Sequence, residues 1–214
     1  MRVYRSIVSF ASALLVSPFT LAASALQTPQ KEPVIAFVFD PPSERLSTGI
    51  LFFDQEKQRS VGNVAISYGQ PVWKEEYEDA TKFDSMTRGQ VWRLGKDFWT
   101  TLDTNLPFKV GGKEIPAGYW YLGLHRSADG ATWSLALMDP AKARKTYAIP
   151  AGLPLGGGPA PDLLAPLTAA QVSSVVEKLK IWVTREDEDL RRATLRIAWG
   201  KMLLTAPIEI EPAK

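Results

Sequence analysis

Short segments in which apolar and polar residues alternate dominate the chain and restrict it to a fold built from β-strands. In residues 61–68, Val64, Ile66 and Tyr68 fall on one side and small or polar residues fall on the other. This period of two is typical of a strand with one buried face. Similar segments recur between turn residues, without intervening long helices. The sequence therefore predicts an all-β antiparallel sandwich, jelly-roll-like or an open barrel, with one or two short helical turns.

Two pairs of these segments predict β-hairpins. Residues 118–126 and 131–138 flank a four-residue loop that ends in glycine, which is typical hairpin chemistry. Residues 193–199 and 202–210 flank Gly200-Lys201, where we expect the chain to reverse. Further strands are predicted for residues 33–39, 61–68, 90–94, 98–104 and 107–110, the last followed by a Gly111-Gly112 turn.

Three stretches are less regular. Asp139 followed by Pro140 predicts a capped helical turn that reaches residue 145. Residues 149–167 are rich in proline and glycine and predict a long loop within the domain. Residues 168–173 resemble a capping box, so we expect a helical turn that leads into a strand at 175–184, with a longer helix as the alternative.

The first 25 residues have the pattern of a secretory signal peptide. Arg2 and Arg5 precede the apolar residues 7–21, and Ala23-Ser24-Ala25 predicts cleavage before Leu26, with a cut after Ala22 as the alternative. A retained membrane anchor is less favoured, because the apolar run falls short of the roughly 20 residues that span a bilayer. We therefore expect a single β-rich domain, residues 26–214, located in the periplasm or secreted, without a membrane span.

Composition excludes several classes of function. The 214 residues include no cysteine and one histidine, which excludes disulfides, cysteine nucleophiles and multi-histidine metal centres. The chain carries 25 Lys and Arg against 23 Asp and Glu, and the signal holds two of the arginines and no acid. The processed chain is then formally neutral, without the basic stripe of a nucleic-acid-binding protein. The sequence also predicts no metal ion and no cofactor.

Three motifs in order carry a resemblance to a known family. They are Ile-Ser-Tyr-Gly-Gln-Pro at 66–71, Gly-Gln-Val-Trp-Arg at 89–93 and Val-Gly-Gly-Lys-Glu-Ile-Pro-Ala-Gly at 110–118. The chain resembles the bacterial family called domain of unknown function 2911. The resemblance implies an exported β-rich domain and brings no established activity. After Arg93 the family tends toward Thr-Gly-Ala-Asn-Glu, whereas this chain keeps at most Asp97 of the polar pair.

One face of the strand at 118–126 is a candidate ligand surface. Alternation places two tyrosines and a histidine on the side opposite three apolar residues, with a gap where Gly123 lacks a side chain. The first face holds Tyr119, Tyr121 and His125, and the opposite face holds Trp120, Leu122 and Leu124. A planar ligand such as a sugar ring fits a surface of this kind. The alternative is that another layer of the protein covers it.

Arg93 is the second candidate, because its guanidinium is suited to binding a ligand carboxylate or phosphate. The alternative is an internal pair with Asp97, Asp103 or another acid, since an unpaired buried charge is costly. The complete set of predicted ligand-binding residues is Tyr68, Trp92, Arg93, Asp97, Tyr119, Tyr121 and His125. No catalytic residue is assigned.

These features favour a non-catalytic exported module that binds a small molecule, a glycan or a peptide. One alternative is a carboxylate-dependent hydrolase of the cell envelope that uses the acids at 75–79 and Asp84. The other is an assembly module whose exposed strands pair with an envelope protein. A serine hydrolase is disfavoured, because the chain has no G-x-S-x-G motif near its histidine.

Overall fold

The computed structural model describes residues 44–145, 160–186, 189 and 191–210. Within this part of the chain, ten strands form antiparallel pairs, accompanied by three short helical segments. The strands are β1 Arg45–Asp54, β2 Arg59–Gly69, β3 Val91–Arg93, β4 Thr100–Thr104, β5 Phe108–Val110, β6 Lys113–Ile115, β7 Gly118–Arg126, β8 Trp133–Met138, β9 Leu163–Arg185 and β10 Arg192–Ile210. The helical segments are a 3-10 turn Glu75–Glu78, α1 Ala80–Thr87 and α2 Pro140–Lys145. The all-β antiparallel prediction is confirmed.

The strands follow the spatial order β1-β2-β4-β7-β8-β9-β10-β5-β6, with β3 paired to β7, and this sheet does not close. Strand β9 connects its two halves. Residues 163–167 pair with β8, and the rest of β9 pairs with β10. An isolated bridge between Val72 and Lys178 also joins β9 to the segment that follows β2. Among the described residues, no helix has the length and apolarity needed to cross a membrane.

Alternation places the core as the sequence predicts. Val64, Ile66 and Tyr68 of β2 are all buried, and so are Leu122 and Leu124 of β7. The predicted β7–β8 hairpin is present, but its register differs by two residues. Arg126 lies opposite Trp133, whereas a loop of residues 127–130 would place it opposite Ala131. Strands are also found at the other predicted positions between residues 61 and 110. The Asp139 cap is present as well, since Oδ1 accepts from the Ala141 N–H at 2.7 Å.

The predicted reversal at Gly200-Lys201 is wrong, because both residues lie within the single strand β10. Gly200 has a φ of +60°, and the register against β9 shifts on both sides of it. A glycine of this kind inside a strand creates a bulge, which bends the strand and increases its twist. The segments before and after Gly200 therefore pair with the same neighbour, β9, instead of with each other.

The predicted helical turn at 168–173 is also wrong, because these residues lie within β9. The prediction of a Pro/Gly-rich loop at 149–167 is wrong at its C-terminal end, since residues 163–167 begin the same strand. Pairing with β8 and β10 supplies backbone hydrogen bonds that outweigh the local capping pattern. The signal peptide, the strand at 33–39 and loop residues 146–159 lie outside the described residues.

Candidate functional site

The predicted ligand face of β7 is covered at its centre. The Tyr121 side chain is buried, and its ring stacks on Trp99 at a centroid distance of 5.4 Å and an interplanar angle of 11°. Its hydroxyl accepts a hydrogen bond from Arg144 Nη2 at 3.1 Å. Ala143 of α2 and Met138 of β8 pack with these two rings in one buried hydrophobic cluster. The chain itself therefore provides the covering layer that the sequence left as an alternative.

The gap at Gly123 is also filled. A Cβ atom at this position would lie 2.9 Å from both the Trp92 carbonyl oxygen and Val91 Cγ1, because β3 passes directly beside it. His125 is half-buried, paired between Val91 and Ser134. Tyr119 remains 49% exposed at the far end of the strand. These positions do not form an open surface.

Tyr68, Arg93 and Asp97 have internal partners. The Tyr68 hydroxyl donates to the Ile181 carbonyl and accepts from the Ile181 N–H, both at 3.1 Å, which ties β2 to β9. Arg93 donates to the main-chain carbonyl of Asp97, which has a φ of +61°. Burial lowers the pKa of Arg93, and the negative charge of Asp97 opposes this shift. The contact that Arg93 makes within the chain is therefore with the main chain of Asp97, whereas the alternative stated above was a pair with an acidic side chain.

A different group of aromatic residues surrounds an open cavity of about 410 Å³, which we call the aromatic cleft. Four aromatic side chains come to it from two separate parts of the chain, residues 73–83 and Trp133 of β8. The residues that line it are Trp73, Tyr77, Glu78, Ala80, Phe83, Arg126, Trp133, Ala169, Ala170, Gln171, Lys201 and Met202. Three of the rings, those of Trp73, Tyr77 and Phe83, are only half-buried.

Contacts between rings hold the wall of the aromatic cleft. Trp73 packs edge-on against Trp199 at 4.9 Å and against Tyr77 at 5.3 Å. Trp92, one of the predicted ligand-binding residues, packs behind them against Trp199 at 5.0 Å. Aromatic pairs in such arrangements contribute about 0.5–1.5 kcal/mol each beyond their buried area. Trp92 therefore supports the wall from the core side.

The bulge in β10 makes room for Trp73. A Cβ atom on Gly200 would lie 2.5 Å from the Trp73 ring, so only glycine fits beneath the indole. The main-chain N–H of Trp73 also donates to the main-chain carbonyl of Glu177 in β9 at 2.6 Å. Trp73 is thus fixed by both long strands, and the irregularity that the sequence analysis misread as a reversal shapes one side of the cleft.

A helix after the acidic run positions Phe83. Asp79 caps α1 through its Oδ1, which accepts from the N–H groups of Thr81 at 2.9 Å and Lys82 at 3.1 Å. Such a cap satisfies donors that the first turn leaves free. In the sequence, residues 75–79 stand out only as candidate acids of a hydrolase, and the helix that follows them is not predicted.

Arg126 is one of the residues that line the aromatic cleft, and Asp84 neutralises its charge. Nη1 binds Asp84 Oδ1 at 2.5 Å and the Thr87 hydroxyl at 3.1 Å. The guanidinium carbon lies 5.8 Å from the Phe83 ring centre and 5.4 Å from that of Trp133. The hydrogen bond from Arg126, with the charge of Arg88 nearby, holds the pKa of Asp84 below its ordinary value.

Polar side chains form the rim of the aromatic cleft. Glu78 Oε1 accepts from Trp73 Nε1 at 2.7 Å, and Lys201 Nζ lies 3.9 Å from Glu78 Oε2. The exposed amide of Gln171 is the third rim group. Glu78 carries the only carboxylate among the described lining residues. The described residues also contain no cluster of three or more side chains suited to a metal ion.

Of the residues that line the aromatic cleft, the sequence singles out only Glu78, as one of the acids at 75–79 named for the hydrolase alternative. The available signals were Asp79 as a helix cap and Trp73 and Tyr77 spaced four residues apart around an acidic run. Neither signal shows that Trp133 and Met202 approach from elsewhere in the chain. Of the seven predicted residues, Trp92 is the one that packs against this cluster of rings.

Comparison with curated proteins and with solved structures found no match. The model of a family described as a protein of unknown function, DUF2911, matches residues 54–208. This range contains the three motifs that carry the resemblance and every residue that lines the aromatic cleft. Because the match covers well over half of the chain, the protein belongs to the DUF2911 family.

Proposed function

We propose that the protein is an exported, non-catalytic module that binds a small molecule in the aromatic cleft. The observation that carries this proposal is the cleft itself, in which the half-buried rings of residues 73–83 and the buried Trp133 line an open cavity together with exposed polar groups. Its volume of about 410 Å³ falls within the roughly 300–1,000 Å³ of typical small-molecule sites. Export is supported by the signal-like pattern of residues 1–25.

Binding is better supported than hydrolysis at this site. A carboxylate-dependent glycosidase needs two carboxyl groups on opposite sides of the bond that is cleaved. Glu78 lines the aromatic cleft, but Asp84 is held by Arg126 and Arg88 behind Phe83 and Trp133. Glu78 is itself engaged by Trp73 and Lys201. These contacts favour a fixed binding surface over a pair of acids with separate protonation states.

Filling the aromatic cleft tests the proposal. Ala169 is exposed on β9, lines the cleft and shares a strand face with the lining residue Gln171, so Ala169→Trp places an indole in the cavity. Ala141→Trp, on an exposed position of α2 away from the cleft, is the matched control. Saturation-transfer NMR with a panel of mono- and disaccharides, dipeptides and aromatic acids would detect binding.

We expect at least one compound of the panel to bind the unmodified chain and the Ala141→Trp variant. Its affinity should fall by about tenfold or more in Ala169→Trp, which corresponds to about 1.4 kcal/mol of lost binding free energy. Binding that persists unchanged in Ala169→Trp, or no binding by any compound, would reject the aromatic cleft as a ligand site.

A further inference from the structure

We infer that the ligand of the aromatic cleft is a neutral mono- or disaccharide. This inference rests on the proposed function and adds the chemical class of the ligand. The observations behind it are the exposed ring surfaces, the pairing of every charged lining group and the polar groups at the rim.

The rings supply the first argument. Trp73, Tyr77 and Phe83 line the cavity and are half-buried, so part of each ring remains accessible to a ligand. Aromatic rings offer a large apolar surface at low conformational cost. A pyranose ring has a face of C–H groups that packs on such a surface, while its hydroxyls point outward from the edge.

The charges supply the second argument. Arg126 binds Asp84 at 2.5 Å, and Lys201 lies 3.9 Å from Glu78. Each charged group that lines the cavity therefore has an opposite charge within 4 Å. An anionic or cationic ligand would have to compete with one of these pairs, whereas a neutral ligand leaves both intact.

The rim supplies the third argument. Gln171 presents an amide that both donates and accepts hydrogen bonds, Lys201 donates, and Glu78 accepts. Sugar hydroxyls both donate and accept, so a saccharide can bind all three groups. A purely apolar ligand would cover the rings, but it would also remove these three polar groups from water without replacing their hydrogen bonds. Half-buried rings together with exposed hydrogen-bond donors and acceptors therefore favour a polyol ring over a hydrocarbon.

The test is isothermal titration of the purified chain with five probes. Maltose, cellobiose and diacetylchitobiose are neutral, digalacturonate is anionic, and an anilinonaphthalene sulfonate represents apolar ligands. We expect at least one neutral disaccharide to bind at least about tenfold more tightly than digalacturonate. Gln171→Ala should weaken this binding by roughly two- to tenfold, the effect of losing one hydrogen bond. Ala169→Trp should weaken it by more, and Ala141→Trp should leave it unchanged.

The outcomes separate the two proposals. If digalacturonate or the naphthalene probe binds and loses affinity in Ala169→Trp, while no neutral disaccharide binds, the saccharide inference is overturned and the cleft remains a ligand site. If no probe binds, or if binding is insensitive to Ala169→Trp, both proposals are rejected. Disaccharide binding that is weakened by both Ala169→Trp and Gln171→Ala supports both.

Discussion

The outer face of β7 and the aromatic cleft both contain several aromatic rings, but they differ in whether other parts of the chain cover those rings. On β7, Tyr119 and Tyr121 are neighbours in one strand, and Trp99 and α2 cover Tyr121. In the aromatic cleft, rings from distant segments meet at a cavity that the described residues leave open. Adjacency in sequence shows which side chains share a face. It does not show whether another part of the chain covers that face.

The two regions also differ in what their rings contribute. Trp99 and Tyr121 are 1% and 3% exposed, so their apolar area stabilises the folded state at about 25 cal/mol per Å². Trp73, Tyr77 and Phe83 keep accessible surface that folding alone would be expected to bury. Exposed apolar surface surrounded by polar groups is characteristic of binding sites. We therefore expect substitutions on β7 to change stability and substitutions in the cleft to change binding.

The largest expected effect is that of Trp99→Ala. Removing this buried indole should lower the free energy of unfolding by about 3–5 kcal/mol, because it leaves a cavity against Tyr121. Chemical denaturation followed by circular dichroism would measure the loss. Arg144→Ala should cost less, because it leaves the two rings in place. It removes the hydrogen bond to the Tyr121 hydroxyl, worth about 0.5–1.5 kcal/mol, and the guanidinium that lies 6.0 Å from the Tyr121 ring centre. Unchanged stability in Trp99→Ala, with ligand binding lost, would reverse the roles that we assign to the two regions.

Gly200→Ala is expected to act on the aromatic cleft. A left-handed backbone costs an alanine about 1–2 kcal/mol, and displacing the Trp73 ring adds about 1–3 kcal/mol. Gly112→Ala is the matched control, since its φ is +79° and a Cβ there meets nothing within 4 Å. Denaturant unfolding and tryptophan fluorescence of both variants would separate the two contributions. Equal losses in the two variants would mean that Trp73 moves aside freely.

The smallest expected effect concerns Asp84 and appears as a dependence on pH. Because its pKa is lowered in the folded state, the pair with Arg126 stabilises the protein fully above about pH 4, the ordinary range of an aspartate. This contribution is lost as the pH falls through the lowered value. The difference in melting temperature between the unmodified chain and Asp84→Asn should therefore be largest at neutral pH and shrink in acid. A difference that stays constant from pH 7 to pH 3 would contradict this account.

Alternation predicted most strands because burial on one face leaves a period-two pattern in the sequence. The β7–β8 hairpin shows this best, since its loop chemistry and its alternation agree. The pattern failed at Gly200, where glycine permits either a reversal or a bulge and the sequence does not distinguish them. It failed again at 168–173, where a local capping pattern lies inside a strand that distant partners stabilise.

The aromatic cleft could not be predicted in the same way. Trp73, Trp133 and Met202 lie far apart in sequence, and they meet only because β9 passes from β8 to β10. Asp97 was anticipated as an internal partner of Arg93, because a half-buried guanidinium requires one, but through its side chain rather than its main chain. The cover over Tyr121 depends on α2 returning across β7, which no pattern within β7 encodes.

The path of β9 and β10 has a consequence for the order of folding. The Tyr68 hydroxyl reaches Ile181, 113 residues along the chain, and Trp199 Nε1 donates to the Pro71 carbonyl across 128 residues. Contacts between such distant residues close large loops and slow the search for the native state. The interior of this protein therefore cannot be completed until its C-terminal strands have been synthesised. A nascent chain that stops before β9 lacks Ile181, the partner of Tyr68, and one that stops before β10 still lacks Trp199, the partner of Pro71.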